Sequence, residues 1–150
     1  EFILAEAAQR GFISANAENY YNNGVLSSML QYGADSFLPY TAINGTQINT
    51  VEDYLAQPQV SLSSATDPLE RIAGQKWIAL FFTGLEPWFD WRRTGRPTME
   101  PSLNNENDDQ VPLRFLYPGS EQLLNLEQYQ AAVSRLDNGD DINSRMWLVE

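Results

Sequence analysis

The sequence predicts an all-α fold: a tetratricopeptide-like helical repeat with irregular loops and little or no sheet. Three observations predict it. Apolar residues recur at spacings of three and four through several segments. The segment from Asp67 carries a full set of helix-start residues. The stretches between periodic segments are rich in Gly, Asn, Ser, Thr and Pro. Hydrophobic residues make up 43% of the 150, with 7 Phe, 7 Tyr and 4 Trp. A chain of that length and composition buries a core rather than staying disordered.

Phe2, Leu4, Ala5 and Ala8 fall on one face of a helix over 2–11, which Gly11 ends. Ala17, Tyr20, Tyr21, Val25 and Met29 define a second helix over 16–30, in which Gly24 is a packing position or a weak point. The pair 1–30 partly fits tetratricopeptide spacing. Leu4 and Ala5 stand at that repeat's Leu and small residue, Ala17 and Tyr21 at its Ala and aromatic, and Gly24 at its later small residue. The repeat's Trp and Pro are missing. One such unit cannot bury its own faces. The chain also opens in mid-pattern and without an initiator Met. Together these features lead us to expect a piece of a longer protein, with any targeting signal upstream.

Residues 31–66 read as mostly loop, with a short helix near Val51–Ala56. A loop this long implies a task. It carries Tyr32, Phe37, Tyr40, Asn44 and Gln47. Aromatic faces beside amides are the residue types of a sugar site, so Tyr32, Tyr40, Asn44 and Gln47 are the candidate ligand-binding residues.

Asp67-Pro68-Leu69-Glu70 supplies an N-cap, a first-turn Pro and a capping-box Glu. The helix it opens runs over 67–83 with a stripe of Leu69, Ile72, Ala73, Lys76, Trp77, Leu80 and Phe81, and stops at Gly84. A second helix follows over 86–94, where Trp88, Phe89 and Trp91 leave no polar face, and Gly95 and Pro97 end it. The two helices are expected to pack as a hairpin, 67–95, that supplies the main aromatic core. Trp77, Trp88, Asp90, Trp91, Arg92 and Arg93 are assigned to that structural core. Asp90 is within reach of Arg93 or Thr94 on its own helix. Loss of a buried Trp88 would cost roughly 3–5 kcal/mol.

Residues 98–110 form an acidic loop, and Pro112 and Pro118 hold Val111–Tyr117 extended. Short helices follow over 120–124 and 127–136, then an Asp-rich turn. Residues 111–150 are read as the last segment of a single domain.

The net charge is −11, from 20 acids against 9 bases. That excludes a nucleic-acid binder, which needs clustered positive charge, and a protein that docks on anionic lipid. It suits a neutral or cationic partner. With no Cys and no His, thiol catalysis, Cys/His zinc sites and His-based proton transfer are excluded within the chain. No metal or cofactor is expected. No apolar run reaches the roughly 20 residues that span a bilayer.

Several blocks taken together carry a resemblance. Gln75-Lys76-Trp77-Ile78-Ala79-Leu80-Phe81, then Gly84-Leu85-Glu86-Pro87-Trp88-Phe89-Asp90-Trp91-Arg92-Arg93-Thr94-Gly95-Arg96-Pro97, resembles a block of the SusD/RagB family. So do Leu4-Ala5-Glu6-Ala7 with Arg10-Gly11, Val111-Pro112-Leu113-Arg114 with Tyr117-Pro118, Glu121 with Asn125, and Asp140-Asp141 with Arg145-Met146-Trp147. The blocks stand in the family's order, with Pro87 and Leu148 as departures. The resemblance implies the SusD-like C-terminal region of a nutrient-binding, polysaccharide-utilisation lipoprotein. Such proteins sit on the outer surface of the outer membrane, tethered by an upstream N-terminal lipid, and cap a SusC-like, TonB-dependent transporter. They capture a glycan or other small nutrient without catalysis. A helical scaffold that docks on the transporter, without ligand contacts in this chain, is the alternative.

A glycoside hydrolase is the remote alternative. Its chemistry needs one carboxyl with a raised pKa, and the arginines near Glu86 and Asp90 would lower both. Asp137-Asn138-Gly139-Asp140-Asp141 hints at calcium, but the EF-hand loop places Gly sixth and Glu twelfth. Here Gly is third and Leu148 is twelfth, so a turn accounts for it better.

Overall fold

The structure, a computed structural model, describes residues 1–102 and 104–146. Trp147 and Leu148 of the last motif lie outside the described residues. The architecture is helical, and the chain divides into two compact units, one over Glu1–Pro87 and one beginning at Trp88.

In the first unit α1 (Phe2–Gln9) and α2 (Ala17–Gln31) form the expected pair. Asn16 caps α2, its side chain accepting from the amides of Glu18 and Asn19, which satisfies donors that the first turn leaves open. A 3-10 turn (Ala34–Phe37) leads to β1 (Tyr40–Thr41) and β2 (Gln47–Ile48), paired antiparallel with Tyr40 opposite Ile48. Residues 31–66 are therefore more ordered than a loop. Turn chemistry orders them: Gly45 takes φ +84°, and Asn44 Oδ1 accepts from Thr46 N at 3.0 Å. Then α3 (Val51–Leu55) starts from a capping box in which Thr50 and Asp53 exchange hydrogen bonds. Next, α4 (Pro68–Ala79) opens on Asp67, whose side chain accepts from Glu70 N at 3.1 Å. It ends earlier than its apolar stripe predicts, because Phe82 (φ +66°) and Gly84 (φ +70°) turn the backbone out of the helix.

The core of this unit lies where α1, α2 and α4 meet. Phe2, Ala5, Tyr21, Val25, Leu62 and Ile72 are buried there together. Gly24 lets α1 and α2 approach: a Cβ at this position would stand 2.9 Å from the Phe2 ring. Phe2 meets Tyr21 edge-on at 6.1 Å. The Tyr21 hydroxyl donates to the Val60 carbonyl, which ties the segment before α4 to α2. Burial pushes that hydroxyl's pKa well above its ordinary value.

The second helix of the expected hairpin is α5 (Glu86–Thr94), and its start straddles the division between the units. The buried cluster is not drawn from the tryptophans. Trp77, Trp88 and Trp91 are only half-buried, while Phe2 and Ala5 of α1 and Tyr21 and Val25 of α2 close the core with Leu62 and Ile72. Helix proximity, which Ala5 and Gly24 permit, decides the core location more than ring size does.

In the second unit α6 (Gly119–Leu124) and α7 (Leu126–Val133) follow the extended segment 111–118. The amides of Leu113 and Arg114 both donate to the Ile142 carbonyl. None of the described helices is long and apolar enough to cross a membrane.

Candidate functional site

A cavity of about 540 Å³ opens in the first unit, inside the roughly 300–1,000 Å³ range of small-molecule sites. Its walls come from five parts of the chain. Val25, Ser28, Met29 and Tyr32 line up at spacings of three and four along α2 and just past its end. Tyr40 comes from β1 and Tyr54 from α3. Gln75, Trp77 and Ile78 come from α4, with Phe81 just beyond it, and Ala34 completes the lining. No charged residue is among these.

Two of the four candidates named from sequence, Tyr32 and Tyr40, meet at this cavity. The Tyr32 hydroxyl donates to the Phe81 carbonyl at 2.5 Å and lies 3.1 Å from the Ala79 carbonyl. It thereby satisfies acceptors left open at the end of α4, and fixes its own ring across the cavity wall. Asn44 and Gln47 are elsewhere. Asn44 is spent on its turn, and Gln47 Oε1 accepts from Thr41 Oγ1 at 2.9 Å. Tyr54 and Gln75 are polar lining residues that the sequence reading did not assign to ligand. Gln75 Nε2 donates to the Tyr54 hydroxyl at 3.4 Å. The stripe from Val25 to Tyr32 was the available signal, since it extends past the helix that Phe2 and Ala5 cover. Trp77, assigned to the core, stands in the cavity wall instead.

Of the other assigned core residues, Trp91 is half-buried, and Trp88, Asp90, Arg92 and Arg93 form two local groups in the second unit. Trp88 Nε1 donates to the Pro112 carbonyl at 2.8 Å, the Arg92 guanidinium lies 4.6 Å from the Trp88 ring centre, and Phe115 packs at 5.1 Å. Arg93 Nη2 donates to Asp90 Oδ1 at 2.8 Å, and Thr94 Oγ1 donates to the Asp90 carbonyl at 2.9 Å. Asp90 thus meets Arg93 through its carboxylate and Thr94 only through its main-chain carbonyl.

Arg114 and Asp140, both motif residues, form a buried ion pair at 2.7 Å with side chains 4% and 10% exposed. Asp140 also accepts from Tyr117 N and from the Tyr129 hydroxyl. Burial opposes its charge, but these hydrogen bonds and the guanidinium outweigh it and hold the carboxyl below its usual pKa. Gly139 (φ +67°) makes the turn that presents it.

Residues 1–118 match the family model described as SusD-like, "starch-binding associating with outer membrane". The chain belongs to the SusD-like family. Solved structures are similar over nearly all of this SusD-like chain. A SusD homologue from Bacteroides fragilis is 30% identical with a TM-score of 0.77, covering 98% of this chain and 32% of its own. A second from the same species is 31% identical with a TM-score of 0.75, covering 99% and 34%. A chitin-binding protein is 30% identical with a TM-score of 0.76, covering 99% and 31%. No curated protein matches. The SusD-like chain thus spans about a third of the length of these solved relatives.

Proposed function

We propose that this SusD-like protein captures a neutral glycan at the outer-membrane surface without covalent chemistry and passes it to a TonB-dependent transporter. The observation that carries the reading is the cavity, where Tyr32, Tyr40, Tyr54 and Trp77 stand together in a member of this family. Aromatic faces suit the C–H faces of sugar rings. The walls carry no charge, which suits a neutral ligand and a protein of net charge −11. The family's description, starch-binding, and one solved relative, a chitin-binding protein, support the ligand class. Glycoside hydrolysis needs a pair of carboxyl groups, and no Asp or Glu is among the described lining residues. Lipid tethering and the transporter partnership rest on family membership.

Calorimetric titration with neutral oligosaccharides tests this reading. We expect saturable binding that Trp77→Ala weakens about tenfold, the loss of about 1.4 kcal/mol, and oligosaccharide recovered intact after long incubation. Absence of binding, or cleavage of the sugar, would reject it. A helical docking module is the second reading. It is favoured by exposed large apolar groups such as Phe82, 88% exposed with φ +66°. Under that reading, substitution of Phe82 abolishes association with the transporter, and neutral oligosaccharides do not bind this chain.

A further inference from the structure

The cavity changes character from mouth to floor. At the mouth Tyr32, Tyr40, Ile78 and Phe81 are exposed, Ile78 to 56% and Phe81 to 62%. At the floor stand Val25, 1% exposed, and the partly buried Met29 and Tyr54, all packed into the core of the first unit. The Tyr54 hydroxyl already accepts from Gln75 Nε2, and the Tyr32 proton is committed to the Phe81 carbonyl. Val25 and Met29 present hydrocarbon and thioether surface. A sugar ring carries hydroxyls around most of its edge, and each one pressed against that surface is penalised for losing its water. An aryl group joined to the sugar through an ether oxygen has the opposite balance. It replaces one O–H donor with carbon surface, whose burial is favourable. An apolar cavity of roughly 150 Å³ holds benzene. The cavity of about 540 Å³ therefore takes an aryl ring at its floor and leaves the mouth to the sugar.

We infer that the floor of this cavity takes an uncharged aryl substituent carried by the glycan, while the sugar stays at the mouth against Tyr32, Tyr40 and Phe81. The inference rests on the glycan-binding reading and adds which part of the ligand is enclosed. Hydroxyls at the exposed mouth keep their water, whereas the floor suits a group with none to desolvate. No charged side chain is among the described lining residues, so an ionised substituent would be buried without a counter-charge.

Methyl and phenyl β-maltoside share their sugar and differ in the aglycone alone, as do methyl and phenyl β-cellobioside, so each pair isolates the claim. In whichever series binds, titration is expected to show the phenyl glycoside at least about tenfold tighter than the methyl one. Met29→Gln, which sets an amide at the floor, should cut that preference by about fivefold or more. Ile78→Gln, at an exposed position that tolerates a polar side chain, should also cut it. Gln75→Leu should widen the preference, because it adds apolar surface beside Tyr54. Melting curves confirm that each variant is folded. Equal affinity for methyl and phenyl glycosides would overturn the aryl inference and leave glycan binding standing. A preference indifferent to both Met29→Gln and Ile78→Gln would place the phenyl group elsewhere on the protein and overturn it, as would its loss in Gln75→Leu. If no glycoside of either series binds, both the inference and the reading beneath it fall.

Discussion

Gly24 has no side chain because Phe2 occupies the space one would need. Two effects oppose each other when Ala is placed there. Helix propensity favours Ala by about 1 kcal/mol, and overpacking typically costs about 1–3 kcal/mol. The contact at 2.9 Å is with a ring that is only 8% exposed and lies against Tyr21, so it has little room to move. Gly24→Ala is expected to lower stability by about 1 kcal/mol net in a denaturant melt; a stabilised variant would mean the ring is free to shift. Trp88 is the reverse case. As a half-buried residue it cannot supply the full cost of a core aromatic. It keeps a hydrogen bond to Pro112 and a stacked Arg92. Trp88→Ala is therefore expected to cost about 2 kcal/mol, near the value of burying one large side chain, and the melting temperature checks it. A cost above about 4 kcal/mol would restore it to a core role.

At the scale of elements, the Arg114–Asp140 pair holds the second unit's segments in register. Arg114 lies in the extended segment, Asp140 in the turn after α7, and Tyr129 reaches Asp140 from α7 itself. Removing one member of a buried pair leaves the other charge without compensation, at a cost of about 3–5 kcal/mol. Asp140→Ala is expected to destabilise the second unit by about that amount, seen as a lower unfolding midpoint, while the first unit's Tyr21 environment stays native by near-ultraviolet dichroism. The pH dependence has a definite sign. The folded carboxyl lies below its unfolded value, which is about 3.9. Its stabilisation is therefore complete above that pH and is lost as pH falls through the folded pKa. Acid unfolding of the wild type should show this loss below pH about 4, and Asp140→Ala should not. The Asp67 cap of α4 was legible in sequence because it acts over three residues. The Arg114–Asp140 pair spans 26 residues, and nothing local announces it.

For the whole molecule, charge and composition set the kind of partner, and the fold sets where it sits. The charge of −11 argued against nucleic acid, and the lack of Cys and His excluded thiol and histidine chemistry within the chain. The ordered motif blocks pointed to the SusD-like family, and the match over residues 1–118 shows it. Helix positions, caps and the tetratricopeptide-like spacing were also readable, because hydrophobic period and capping are local properties. The core location and the cavity were not. Sequence periodicity says which face of a helix is apolar, but not whether another element fills the space opposite it. Phe2 filled that space above Gly24, while Trp77 and Tyr32 were left facing an opening. Close approach of helices and the vacancy beside them depend on contacts between residues far apart in the chain. Those contacts are decided only when the chain packs.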